Sequence, residues 1–478
     1  MMQKRSNKQS YGTKVQDMKS LRLPARASIY YLAASFIGKA VGFFIIPLST
    51  RLLSSEDYGM FSLYMALLGG ATLICSSFSS GSAVYKGLKE YSENQPGLLR
   101  GVLYTSLSFS AILCILLFAF HRLLGLNSLL IIPLSLQIIC DVITAVAISG
   151  LRFNYLYKRV FIIMLASSLI PPLLSIIILR SVGGGYLVRI YSLLGVSIIL
   201  AIYSLYVLYA GGSENRRVGA NEIVVHSLPL LPHSISSALA VQADKLIITG
   251  ILGASALAKY TVVYSLGMAL QFTITAIGAA LAPWIIRKLD AGENERIQGL
   301  ISPMLLGYCA LSLCLVSLGP EAMMILAPQS YLDALPALIP LATSTPFSFI
   351  SSVASVAMVH YGRGRDSIIV AFVGGALSVG LNFVLIGKLG FLGAGISALV
   401  SQISTAFLSL ILLRRSVGLE LISVQKVALP CFISIVIGFF LFSIRNFLGL
   451  RIFMLIIPGA ILLYCMTKAR SLIFELKA

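Results

Sequence analysis

The chain has 478 residues, 58% hydrophobic and only 11% charged, whereas an ordinary soluble domain is about one quarter charged. So few charges cannot cover a water-facing surface of this length, which excludes a soluble fold and points to a surface facing lipid. The formal net charge of +19, from 36 Lys and Arg against 17 Asp and Glu, reads as basic residues retained in cytoplasmic loops and not as a nucleic-acid footprint.

Residues 1–27 are polar and basic, with Lys4, Arg5, Lys8, Lys14, Lys19, Arg22 and Arg26. No apolar stretch follows the start directly, so a cytoplasmic tail is expected there in place of a cleavable signal. Fourteen apolar runs come next. They are 28–52, 58–84, 98–120, 127–149, 159–180, 186–210, 224–251, 258–284, 297–319, 335–360, 366–387, 391–413, 426–444 and 450–467. A bilayer core takes about 20 helical residues per crossing, and a membrane strand would alternate over only about ten. The runs therefore predict an all-α polytopic membrane protein of about 14 transmembrane helices.

With the N-terminus inside, most Lys and Arg fall in alternate connections, such as Arg152, Lys158 and Arg159, or Arg414, Arg415 and Lys426. The bias persists to the tail at 468–478, as the positive-inside rule requires of a correct helix count. The loops are short and leave no room for a folded external domain.

Leu52 to Tyr64 and Leu252 to Tyr264 align without a gap at an offset of 200 residues, with Leu52/Leu252, Ser55/Ser255 and Tyr64/Tyr264 identical. Both copies lie at outer turns, six helices apart. This predicts a first lobe at 28–210, a cytoplasmic linker at 211–223, a second lobe of parallel topology at 224–413, and two extra helices within 426–467.

Charges inside a bilayer cost roughly 2.5–3.5 kcal/mol each on insertion scales. Lys39 lies mid-way along the first run, between Gly38 and Gly42. It either faces a water-filled cavity, attracting an anion, or forms a structural pair with a neighbouring acid. Asp141, one turn after Gln137, is its natural partner, or else an ion-coupling site. Asp244 and Lys245 are adjacent in the seventh run and point about 100° apart, so they need not pair with each other. Pro229 and Pro232 earlier in that run predict a kink or broken turn. With Asp141, Asp244 and His233 are the ion-coupling candidates, although a lone His is more often a packing residue. Arg51 marks the outer end of the first run, and Glu321 is expected to be solvated. Gln271, Asn382 and Gln402 read as glue between helices.

The seven Cys lie in apolar stretches without a C-x-x-C and read as core packing. No metal site, cofactor or catalytic motif is visible, and no nucleotide-binding loop. Any driving force for transport must then come from an ion gradient, the membrane potential or the substrate gradient.

Ile46-Pro47-Leu48-Ser49-Thr50-Arg51-Leu52-Leu53-Ser54-Ser55-Glu56-Asp57-Tyr58-Gly59 resembles the signature after the first helix of bacterial Wzx-type polysaccharide flippases. Leu228-Pro229-Leu230-Leu231-Pro232-His233-Ser234, Asp244-Lys245-Leu246-Ile247-Ile248, Ala282-Pro283-Trp284 and Leu151-Arg152-Phe153-Asn154-Tyr155 extend the likeness. It implies membership of the superfamily that also holds multidrug extruders and the lipid II flippase, with two six-helix lobes in a MATE-like V. It further implies a bacterial inner-membrane flippase with cytoplasmic termini, moving undecaprenyl-diphosphate-linked oligosaccharide for O-antigen, capsule or exopolysaccharide. Lys39, Arg51 and Lys245 would then attract the diphosphate or acidic sugars, and a glycan polymerase and chain-length regulator would be functional partners. Lys259 replaces the small residue usual before the Tyr of the second repeat, so close packing is expected to suffer there. The alternatives are a cation-coupled drug or metabolite extruder and, from another class, a membrane glycan polymerase or ligase.

Overall fold

The structure, a computed structural model, describes residues 26–121, 128–210, 224–225 and 227–475. Most of the basic tail, the linker 211–223 with Arg216 and Arg217, and the loop cations Arg122 and Lys477 lie outside the described residues. Among those described there is no strand.

The first apolar run forms α1 over 26–44, a turn at Ile45, and α2 over Ile46–Leu52. There follow α3 (Ser55–Ser79), α4 (Ser82–Glu90), α5 (Gln95–Ala119), α6 (Ser128–Phe153), α7 (Tyr157–Ser181) and α8 (Tyr186–Tyr209). The rest are α9 (Leu231–Leu252), α10 (Ala254–Asp290), α11 (Asn294–Leu326), α12 (Leu338–Thr343), α13 (Thr345–His360), α14 (Gly364–Leu389), α15 (Phe391–Val417), α16 (Val424–Ser443), α17 (Leu448–Met454) and α18 (Ile456–Glu475).

Thirteen helical spans among the described residues are long and apolar enough to cross a membrane, and a fourteenth apolar helix, Gly449–Cys465, is shorter. Pro458 lies in the first turn of α18, and a proline ring clashes with the carbonyl four residues back, here that of Met454, where α17 ends. Pro229 and Pro232 act differently from a mid-helix break. Pro229 lies in a 3-10 turn, Leu228–Leu230, and Pro232 in the first turn of α9, where a missing N–H leaves no bond unmade.

Other helix ends are set by side chains. The Asn94 side chain accepts from Gly97 N–H at 3.0 Å at the start of α5. Ser54 Oγ accepts from Asp57 N–H at 3.0 Å and donates to its carboxylate at 2.7 Å before α3. Each meets a donor that the first helical turn leaves unpaired.

The chain forms two compact units, the first of Met1–Ile45 and Ala71–Leu231, the second of Ile46–Gly70 and Pro232–Ala478. In the first, Val84 and Leu88 of α4 pack with Leu98 and Val102 of α5 and Val146 of α6. In the second, Ile297, Ala357, Ala406, Leu413 and Val427 join α11, α13, α15 and α16 in one core. Large apolar side chains such as Phe36, Ile177, Phe440 and Leu463 are exposed on the outside. Helices satisfy their own backbone hydrogen bonds, so such a surface suits lipid.

Candidate functional site

In the first unit, Lys39 is exposed on α1. A Cβ on Gly38 would come within 2.9 Å of Ser168 of α7, whereas one on Gly42 would meet nothing. Only the first glycine of that G-x-x-x-G thus serves a close helix approach. At Asp141 on α6 the donor is Gln137, whose Nε2 reaches Oδ1 at 3.0 Å and also lies 2.6 Å from Ser197 Oγ on α8. The carboxylate is held by an amide on its own helix and by the Ser197 hydroxyl of α8.

In the second unit, Arg51 donates to Pro47 O and Ile325 O at 3.1 Å and to Met324 O at 3.4 Å. Thr50 Oγ1 donates to Leu326 O at 2.8 Å. Together they satisfy the last carbonyls of α11, where a cation also complements the helix dipole. Glu321, expected to be solvated, is instead paired. The Arg451 guanidinium, 4% exposed, reaches both its carboxylate oxygens at 2.5 and 3.0 Å and ties α17 to α11. The charge at Lys259 is met by Asp333 at 2.6 Å, and close packing survives around it, contrary to expectation. Ser255 Oγ donates to Ser55 Oγ at 2.8 Å, and a Cβ on Gly59 would lie 1.8 Å from Ala254 O. The two repeat copies therefore touch, at Ser55 and its equivalent Ser255 among other residues.

Asp244 and Lys245 of α9 are both buried and do meet, Nζ to Oδ1 at 3.6 Å. Tyr260 of α10 donates to Asp244 Oδ2 at 2.7 Å. Lys245 Nζ donates to Val241 O at 2.9 Å and Gln242 Oε1 at 3.1 Å, and lies 4.1 Å from the Tyr264 ring centre. A cation over an aromatic face is attracted by the ring quadrupole. His233, in the first turn of α9, has a buried Nδ1 that meets no donor or acceptor among the described residues.

Asp244 and Tyr264 also border a cleft of about 510 Å³ inside the second unit. Ser344, just before α13, and Ser348, Ser351, Ser352 and Ser355 along it line the cleft, with Ser401, Thr405 and Ser409 along α15. Gln271, Asn382 and Gln402 add three amides, and no Lys, Arg or His is in the described lining. Ser348 Oγ donates to Gln271 Oε1 at 3.1 Å, and Ser355 and Ser367 hydroxyls lie 2.8 Å apart. Sequence reasoning misses this wall and the two tyrosines, although the α13 serines recur at the 3, 4 and 7 residue spacings of one helix face.

No metal-binding group of His, Cys, Asp and Glu occurs among the described residues. Cys309 and Cys431 Sγ atoms lie 4.0 Å apart in the core as free thiols.

No curated protein matches the chain. In fold it is similar to "Lipid II flippase MurJ, inward closed conformation", with TM-score 0.68 and 16% identity over 93% of this chain and 100% of that one. It is also similar to an inward-facing multidrug resistance MATE transporter of the MOP superfamily, with TM-score 0.59 and 16% identity over 82% and 94%. A MOP superfamily transporter from Pyrococcus furiosus gives TM-score 0.51 and 16% identity over 82% and 95%. The family described as polysaccharide biosynthesis protein matches residues 25–288, more than half of the sequence. This multi-pass membrane protein belongs to the polysaccharide biosynthesis protein family.

Proposed function

We propose that the chain is a flippase that carries undecaprenyl-diphosphate-linked oligosaccharides from the cytoplasmic to the outer leaflet of a bacterial inner membrane by alternating access. The observation that carries this reading is the family match over residues 25–288 in a chain whose membrane-embedded second unit holds a polar cleft of about 510 Å³. The fold it shares with a protein named as a lipid II flippase supports the same kind of cargo. The cargo would feed O-antigen, capsule or exopolysaccharide assembly, with a glycan polymerase and chain-length regulator downstream. No covalent chemistry is assigned to the chain.

Lys39, exposed on α1, is the cation assigned in this reading to the diphosphate. Arg51 is committed to the end of α11, and Lys245 to Asp244 and Tyr264. Those two cations hold the protein wall in shape instead of grasping an anion. Asp141 is the candidate for ion coupling in the first unit.

The deciding experiment deletes the gene and measures undecaprenyl-linked glycans and surface polysaccharide. Complete lipid-linked repeats accumulating on the cytoplasmic side, with surface polysaccharide lost, is the expected result. Unchanged surface glycan with new sensitivity to small cationic drugs would move the assignment to a drug extruder, a reading that the MATE-like fold also allows.

A further inference from the structure

The cleft of the second unit is built for hydrogen bonds and not for charge. Its α13 and α15 walls carry two stripes of hydroxyls, and Gln271, Asn382 and Gln402 stand among them. Its single formal charge, Asp244, is met from behind by Lys245 at 3.6 Å. Lys245 itself is not in the lining. The wall is therefore close to electrically neutral. A second observation points to a missing ligand. Asn382 is 1% exposed, and its Nδ2 donates to Ser378 Oγ at 3.3 Å. Its Oδ1 has no partner among the described residues, and neither does the buried Ser401 Oγ. Both residues line the cleft. A buried acceptor left unmet carries its full desolvation penalty, so such groups ordinarily have a partner.

We infer that this cleft binds an uncharged, hydroxyl-rich saccharide, the glycan part of the cargo, and discriminates against acidic sugars. Hydroxyl groups both donate and accept, which suits a wall of serines and amides and supplies the donor that Asn382 Oδ1 requires. A uronic acid in the same place would bring a carboxylate into a neutral wall with no cation to meet it. Losing water around an unpaired charge is expensive in such a setting. The volume falls within the roughly 300–1,000 Å³ of small-ligand sites, room for a short saccharide. Recognition of the lipid diphosphate is then a separate task, left to cations elsewhere. The inference rests on the flippase reading and assigns one part of its substrate.

The test uses the full chain in lipid nanodiscs and three probes. They are undecaprenyl diphosphate alone, the same lipid carrying a neutral glucose trisaccharide, and the same lipid carrying a glucuronic acid trisaccharide. The neutral probe is expected to bind at least about tenfold tighter than the other two, about 1.4 kcal/mol. Asn382→Leu should remove most of that advantage and leave binding of the bare lipid unchanged. Ser401→Ala provides a smaller second variant should Asn382→Leu fail to fold. Acidic and neutral probes binding alike, or Asn382→Leu weakening all three equally, would overturn the inference and leave the flippase reading intact. Thermal stabilisation by sodium chloride over choline chloride that vanishes in Asn382→Leu, without discrimination between the saccharides, would assign the unmet oxygen to a cation and also overturn it. Absence of binding by any probe would remove the flippase reading itself.

Discussion

The two units treat intramembrane charge in opposite ways. In the first, Lys39 is exposed on α1, and Asp141 is held by Gln137 of its own helix and Ser197 of α8. In the second, Asp244 and Lys245 are buried and tied to each other, to Tyr260 and to Tyr264. The same bilayer imposes the same cost on each charge. Burial leaves Asp244 and Lys245 dependent on each other, whereas Lys39 stands at the surface of its helix.

That contrast can be broken by mutation. The largest functional effect is expected from Lys39→Ala, which should abolish glycan export while protein abundance stays normal, since an exposed side chain contributes little to folding. Normal export in that variant, read from surface polysaccharide and immunoblots, would remove Lys39 from the mechanism. Lys245→Met should do the reverse and lower abundance first. It leaves Asp244 buried and uncompensated, a loss of about 3–5 kcal/mol. The double variant Asp244→Asn with Lys245→Met should recover most of the stability by thermal unfolding in detergent, and a double variant worse than either single one would refute the pairing.

Gly59→Ala tests the contact between repeats. The added Cβ would lie 1.8 Å from Ala254 O, a backbone atom, so the helices must separate, and overpacking of this kind costs about 1–3 kcal/mol. Gly42→Ala, in open space, should leave the melting temperature unchanged, and equal shifts in the two variants would argue against the close approach. Asp141→Asn keeps a hydrogen-bonding group of the same shape. If Asp141 couples transport to an ion, export should fall and lose its dependence on an imposed gradient. A fully active variant would make the residue structural.

The smallest effect lies outside the membrane. Glu293, between α10 and α11, accepts from Lys288 at 2.8 Å and pairs with Arg296 at 2.9 Å. The Lys288 hydrogen bond, aided by Arg296, holds its carboxyl below the usual carboxylate range. A depressed folded-state value contributes stability above the ordinary carboxylate range and loses it as pH falls through the lowered value. Glu293→Gln should therefore slightly lower the melting temperature at neutral pH and match the parent protein in strong acid. A difference that persists in acid would assign the effect to something other than this charge.

Several of these features are legible in the amino-acid order alone. The spans follow from hydropathy, because each membrane helix satisfies its own backbone and needs only a long apolar run. Asp141, Asp244 and Lys245 stand out because charge is rare at such depth. Glu321, by contrast, reads as solvated because its partner, Arg451, lies 130 residues away. The cleft is hidden for a related reason. Serine is unremarkable in a membrane helix, and only convergence of two striped helices makes a binding surface.

The helical class, the run lengths, the family signature and the repeat at an offset of 200 residues are all carried by local composition and spacing. Which faces meet depends on packing between distant segments, and the three-dimensional fold sets it. It brought Ser55 against Ser255, Arg451 against Glu321, Lys245 over Tyr264, and the hydroxyl stripes of α13 and α15 around one cleft. In lipid, an apolar helix surface gains little by choosing one apolar neighbour over another. Close packing and a few polar contacts between distant segments therefore make that choice.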